Sequence, residues 1–214
     1  LFAHDLIFAD TTAIRGTDTL PPSDTVTIIP QLSALSDIII PQDYTFPDAL
    51  PYLAYTDSLQ NAPGLQVGIL KVRDGGDADD PDEQPTTLNE LRLQVNAPQA
   101  LMQLGLMHHG QLIASAPVHT SDVHFTDFNL AAPDNQAAEL QLVATFTDTL
   151  TDHQHISWQV HYAGTQQPGS GFAALDGGGA ASTGDTQKMQ VSVEASRLEF
   201  TQEPPAWLVQ DSAM

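Results

Sequence analysis

The sequence contains no cysteine. Disulfides therefore contribute nothing to the fold, and thiolate metal centres are excluded. Basic residues are nearly as scarce. Six Lys and Arg stand against 27 Asp and Glu, for a formal net charge of −21, and Lys71 and Lys188 are the only lysines. Such a surface repels nucleic acid and anionic lipid, whose recognition needs clustered Lys and Arg, and it attracts cations. No apolar run in the chain approaches the roughly 20 residues of a membrane helix, so helical membrane insertion is not expected. There is no Asn-x-Ser/Thr acceptor. Gly-x-Ser-x-Gly, His-Glu-x-x-His and phosphate-cradling glycine loops are also missing, which leaves no recognisable catalytic signature and points away from an enzyme.

What the sequence has is alternation. Leu91, Leu93 and Val95 are separated by Arg92 and Gln94; Met102, Leu104 and Leu106 by Gln103 and Gly105. Leu140, Leu142, Ala144 and Phe146 share one parity, as do Ile156, Trp158, Val160 and Tyr162, and again Met189, Val191 and Val193. A period of two puts one face of a strand in a core and the other in water. Residues 65–72 and 111–115 are further strand candidates. Turn chemistry separates the runs at Asp74-Gly75-Gly76, Asn96-Ala97-Pro98, His109-Gly110, Pro133-Asp134-Asn135 and Thr183-Gly184-Asp185. Short strands between such signals predict an all-β fold, an antiparallel β-sandwich of Ig-like or jelly-roll-like type with strand-like terminal extensions. Residues 164–184, rich in Gly, Ala, Ser and Thr, read as a long surface loop pinned by Phe172 and Leu175.

The ends differ from the middle. Residues 1–35 carry two apolar runs, Leu6–Ala9 and Val26–Ile29, and read as an arm or the tail of a preceding module. Residues 36–197 are the sandwich. Residues 198–214 hold a short strand, the break Pro204-Pro205, and a new apolar start at Trp207, the pattern of a boundary with a following module. An opening at Leu1 rather than Met fits a processed or internal piece of a longer chain.

The densest chemistry lies directly after the strand that ends near Val72. Asp74, Asp77, Asp79, Asp80, Asp82 and Glu83 place six carboxylates within ten residues. Fixed beside one another they repel, and a divalent cation removes that cost. Calcium suits the set, because it takes six to eight hard oxygen ligands from a flexible loop. The spacing is not that of an EF-hand. Asp134, Asp152 and Asp185, each in a turn, are possible ligands from other loops. The plainer alternative is a solvated acidic loop.

Three lesser candidates remain. His153, His155 and His161 fall on the outward parity of one strand, and His108-His109 sit at a turn; such residues either hold a transition metal such as zinc or are simply exposed. Tyr52, Tyr55, Trp158, Tyr162 and Trp207 are candidates for a sugar platform, although parity assigns Trp158 and Tyr162 to the core. Lys71 shares parity with Leu65, Val67 and Ile69, so it either points inward, where an isopeptide bond could form, or snorkels beside the acidic loop.

The order of several short motifs resembles a module that recurs in very large surface proteins of Bacteroidetes-type bacteria. The matching stretches are Ser36-Asp37-Ile38, Leu70-Lys71-Val72-Arg73-Asp74-Gly75-Gly76 with its acidic loop, Pro85-Thr86-Thr87-Leu88, and 128–135. They continue with Val143-Ala144-Thr145-Phe146, 151–157, 177–181 and Thr183-Gly184-Asp185. Residues 198–204 resemble the opening of an Ig-like repeat. The resemblance implies type IX secretion, a cell-surface address and repeat context with no enzymatic activity. The expected role is a structural or adhesive repeat whose partners are neighbouring modules. The alternatives are a filament subunit that exchanges terminal strands with identical subunits, and a carbohydrate-binding module that takes surface glycans.

Overall fold

The structure is a computed structural model that describes residues 33–78, 80–148, 150–184 and 188–193. Expectations for 1–32, Asp79, Asp185 and 198–214 lie outside the described residues. Within them the chain is all-β, as the alternation predicts. Eleven strands run in order: β1 (Asp37–Ile39), β2 (Ala49–Leu50), β3 (Leu65–Arg73), β4 (Thr86–Val95), β5 (Leu101–His108), β6 (Gln111–Pro117), β7 (Asp122–Phe125), β8 (Leu130–Ala132), β9 (Ala137–Phe146), β10 (Trp158–Thr165) and β11 (Gln190–Val191).

Two antiparallel sheets make the sandwich. One has the order β1-β3-β9-β5-β6; the other has the order β10-β4-β7, with β8 also on β4. A two-residue parallel ladder joins β2 to β11. Leu70, Leu104, Leu106, Leu140, Leu142 and Phe146 from the first sheet meet Leu88, Leu91, Leu93 and Phe125 from the second, all essentially without solvent exposure. Trp158 ties the sheets together: its indole N–H donates to the Val67 carbonyl at 3.0 Å. Gly68 lies under the ring, where a Cβ would overlap the indole, so only glycine admits this close approach.

Two β-bulges, each with one extra residue that reverses the parity that follows, decide the alternatives for Lys71 and overturn the core reading of Tyr162. A register shift between Gln66 and Gly68 puts Leu70 and Val72 in the core. Lys71 therefore lies on the outer parity, opposite Ile39 on one side and Glu139 on the other, and does not enter the core. A shift between Val160 and Tyr162 brings Ala163 inward. Tyr162 is left partly exposed, with the Arg92 guanidinium 5.0 Å above its ring.

Residues 164–184 are not a free surface loop. Ser170 is fully buried, and Phe172 packs on the core, but Leu175 is 74% exposed and pins nothing. The segment is a strap held by main-chain bonds to both flanking elements. Ser36 and Ile38 donate to Gly171 and Gly177, Gly171 to Ser33, and Val160 and Ala163 to Ala181 and Leu175.

The topology collects the chemistry at one end. The chain crosses from sheet to sheet between β3 and β4, and again between β8 and β9. Arg73 pairs with Ala137, Thr86 with Ala132, and Asp37 with Arg73. These registers place the acidic loop after β3, the turn after β8 and the start of β1 side by side.

Candidate metal centre

Asp74 follows β3 and is buried, with 4% exposure. Its Oδ1 accepts the Thr86 hydroxyl at 2.5 Å, and its Oδ2 accepts the Asn135 N–H at 2.9 Å. Because Thr86 gives its only hydroxyl proton to Asp74, Ser36 Oγ must be the donor in the 2.6 Å contact with Thr86 Oγ1. Ser36 in turn accepts the Gly75 N–H at 3.3 Å. A one-way chain of donors thus ends on Asp74 and holds it as an acceptor.

Asp80 is also buried. Its main chain is clamped by Asn135, whose Oδ1 accepts the Asp80 N–H at 2.7 Å and whose Nδ2 donates to the Asp80 carbonyl at 3.1 Å. Asn135 sits at φ 53°, a backbone state that asparagine tolerates better than most residues. This conformation aims its side chain back at the loop. The preceding turn is closed by Gln136 N–H donating to Pro133 at 2.8 Å, and it carries Asp134.

Asp74, Asp80 and Asp134 each offer an oxygen, and the three oxygens lie within 4.8 Å of one another. Two oxygens on one calcium, each 2.3–2.6 Å from it, can be no more than about 5 Å apart. The Oδ1 of Asp134 is buried and has no hydrogen-bond partner. Three of the described basic residues are engaged elsewhere: Arg73 with Asp37 and Asp77, Arg92 with Glu90, and Lys188 with Asp48. Among the described residues no ion pair reaches the three aspartates. Burial, reinforced by the Asp74 charge, raises the Asp80 pKa above the ordinary 3.8 despite the bond from Ser33. Burial also works against ionisation of Asp82, but the N–H groups of Ser33 and Gln84 and the Ser170 hydroxyl outweigh it and hold that pKa low. The donor set is hard oxygen throughout and fits calcium or magnesium rather than a soft metal.

Of the six carboxylates singled out in the sequence, the five that are described separate here. Asp74 and Asp80 converge, and Asp134 joins them from the other crossover. Asp82 is buried, accepts from Ser33, Gln84 and Ser170 at 2.6–2.8 Å, and is not among the converging groups. Asp77 is 90% exposed and bound to Arg73. Glu83 is exposed at φ 54° and is not among the converging groups. Asp152 lies elsewhere, accepting the Val193 N–H at 3.0 Å.

The other candidates do not assemble. His153 sits in a turn beside Asp152, His155 lies before β10 in a bridge to Gln190, and His161 is on β10 facing Asp122. The three do not share one strand, because β10 begins only at Trp158. The His108 and His109 ring centroids lie 4.0 Å apart, with the ring planes tilted by 56°. Tyr52 and Trp158 are core residues, and Tyr55 packs against the core, so they form no exposed platform. A scan against protein-family models and a search of curated proteins both give no match to the chain.

Proposed function

We propose that this chain is a structural or adhesive β-sandwich module of a large extracellular bacterial surface protein, stabilised by calcium at Asp74, Asp80 and Asp134. One observation carries the reading: among the described residues three aspartates converge at a crossover with no ion pair to them, and one buried oxygen, Asp134 Oδ1, is left unpaired. A buried acceptor without a donor costs about 1–3 kcal/mol, and a bound cation converts that cost into a bond. The acidic surface and the order of the surface-module motifs support the extracellular, modular setting. In that setting the module is not an enzyme: it spaces and presents other parts of the protein, and its partners are neighbouring modules.

The test is calorimetric titration of chelator-stripped protein with calcium. The reading expects one saturable site of sub-millimolar to millimolar affinity, typical of extracellular modules at about 10⁻⁴–10⁻³ M, and its loss in Asp134→Asn. No binding at about 10 mM calcium would overturn it.

The filament reading finds its footing in β6. This strand pairs only with β5 among the described residues and leaves Leu112 39% exposed, and such an edge accepts an added strand. Concentration-dependent assembly in solution scattering would favour it over a monomeric module.

A further inference from the structure

We propose that the acidic loop is also the platform on which the chain leading into the sandwich docks, and that calcium strengthens this docking. The inference rests on the calcium reading above and adds a second ligand to the same loop: the chain's own segment 33–36.

That segment has little apolar anchorage. Ala34 is exposed and Leu35 is 50% exposed, while Ile38 is the first residue of the segment whose side chain is fully inside the core. Before Ile38 the attachment is polar and ends largely on aspartates. Ser33 N–H donates to Asp82 Oδ2 at 2.6 Å, and Ser33 Oγ donates to Asp80 Oδ2 at 2.7 Å. Ser36 reaches Asp74 through Thr86. The strap completes the seat: Gly171 N–H donates to the Ser33 carbonyl at 2.8 Å, and Ser170 Oγ to Asp82 Oδ2 at 2.8 Å. Every one of these carboxylates is either a member of the three-aspartate cluster or its immediate neighbour.

Coupling follows from Asp80, which the two ligands share. Repulsion from Asp74 and Asp134 favours an Asp80 turned away from them, with its Oδ2 displaced from Ser33. A cation among the three removes the repulsion and fixes the position of Asp80, so that Oδ2 stays where Ser33 needs it. Linkage makes the effect reciprocal: if calcium strengthens the seat of Ser33, Ser33 strengthens the binding of calcium by the same factor. In a modular protein this fastens the point at which the preceding chain leaves the sandwich.

Amide hydrogen exchange on the full chain tests this, read by mass spectrometry in chelator and in about 10 mM calcium. Exchange at Ser33 and Ser36 should slow by about tenfold or more with calcium, while amides of β5 such as Leu104 change far less. Ser33→Ala, which removes no metal ligand, should weaken calcium binding by about 3–10-fold through the reciprocal coupling. If calorimetry shows calcium binding but exchange at 33–36 does not change, the docking inference falls and the calcium site stands. The inference also falls if all amides slow in parallel, or if Ser33→Ala leaves calcium affinity unchanged. If no calcium binds, both readings fall together.

Discussion

Replacing Asp134 by asparagine should reverse the stability ranking of variant and wild type when calcium is added. Oxygens of Asp74, Asp80 and Asp134 lie within 4.8 Å of one another. At an effective dielectric of about 20, two unit charges at that separation repel by about 3 kcal/mol. Partial exposure of Asp134 relieves much of this. If only a third remains, removing the Asp134 charge in chelator stabilises by about 1 kcal/mol, or about 2–4 °C in melting temperature for a chain this size. Calcium acts in the opposite sense. At a concentration one hundred times its dissociation constant it stabilises the wild type by about 2.7 kcal/mol, which corresponds to about 5–11 °C. The variant has lost a ligand and should gain little. Differential scanning fluorimetry in chelator and in calcium reads all four values. Asp134→Asn should melt higher in chelator and lower in calcium. A wild type indifferent to calcium, or a variant destabilised equally in both conditions, would refute the reasoning.

Asp77→Asn and Glu83→Gln should leave the calcium increment intact, and loss of the exposed Asp77–Arg73 pair should cost less than about 1 kcal/mol; an Asp77 variant that abolishes the increment would return that residue to the ligand set. The pH response of the calcium-free protein should have two limbs. The Asp80 pKa is raised, so stability is recovered as pH falls from neutral through that pKa toward 3.8. The Asp82 pKa is lowered, so its contribution is lost as pH falls below 3.8. Melting curves of wild type minus Asp80→Asn should show the first limb in chelator only, and its persistence in saturating calcium would argue against a shared site. In the core, Gly68→Ala should cost about 1–3 kcal/mol by forcing the Trp158 ring to move. Trp158→Phe should cost about 1–3 kcal/mol by leaving the Val67 carbonyl unpaired. Urea denaturation measures both, and a neutral Gly68→Ala would mean that the ring is not packed as described.

The fold was legible because the chain is antiparallel and its strands bury one face. Period two then reports burial directly, and Leu91, Leu93 and Val95 fall where alternation places them, with Arg92 half-buried and Gln94 exposed. The failures share one cause. A β-bulge costs one residue of register and leaves no mark in a local run of apolar residues, so parity carried past Gln66 left Lys71 open and parity carried past Val160 misplaced Tyr162. The strap was harder still, because its small residues are held by main-chain bonds that no side chain announces. At the site, carboxylate density marked the loop that supplies Asp74 and Asp80 but not which of its carboxylates converge. Asp77 is drawn off by Arg73, a partner that lies on the preceding strand and was visible in the sequence. The roles of Asn135, Thr86, Ser33 and Ser170 depend on the pairing of β3 with β9 and of β4 with β8. In a chain with hydroxyls and amides in every turn, nothing local distinguishes those four. Asp134 carried a usable signal, an aspartate between proline and asparagine in a crossover turn, but not the register that brings it to Asp74.

A crystal structure of the full chain grown in about 10 mM calcium tests the central claim most directly. The account predicts one ion bound by oxygens of Asp74, Asp80 and Asp134 at about 2.3–2.6 Å, with Ser33 still seated on Asp80 and Asp82. Three well-ordered aspartates with no ion between them, or a water or basic side chain satisfying Asp134 Oδ1, would contradict it.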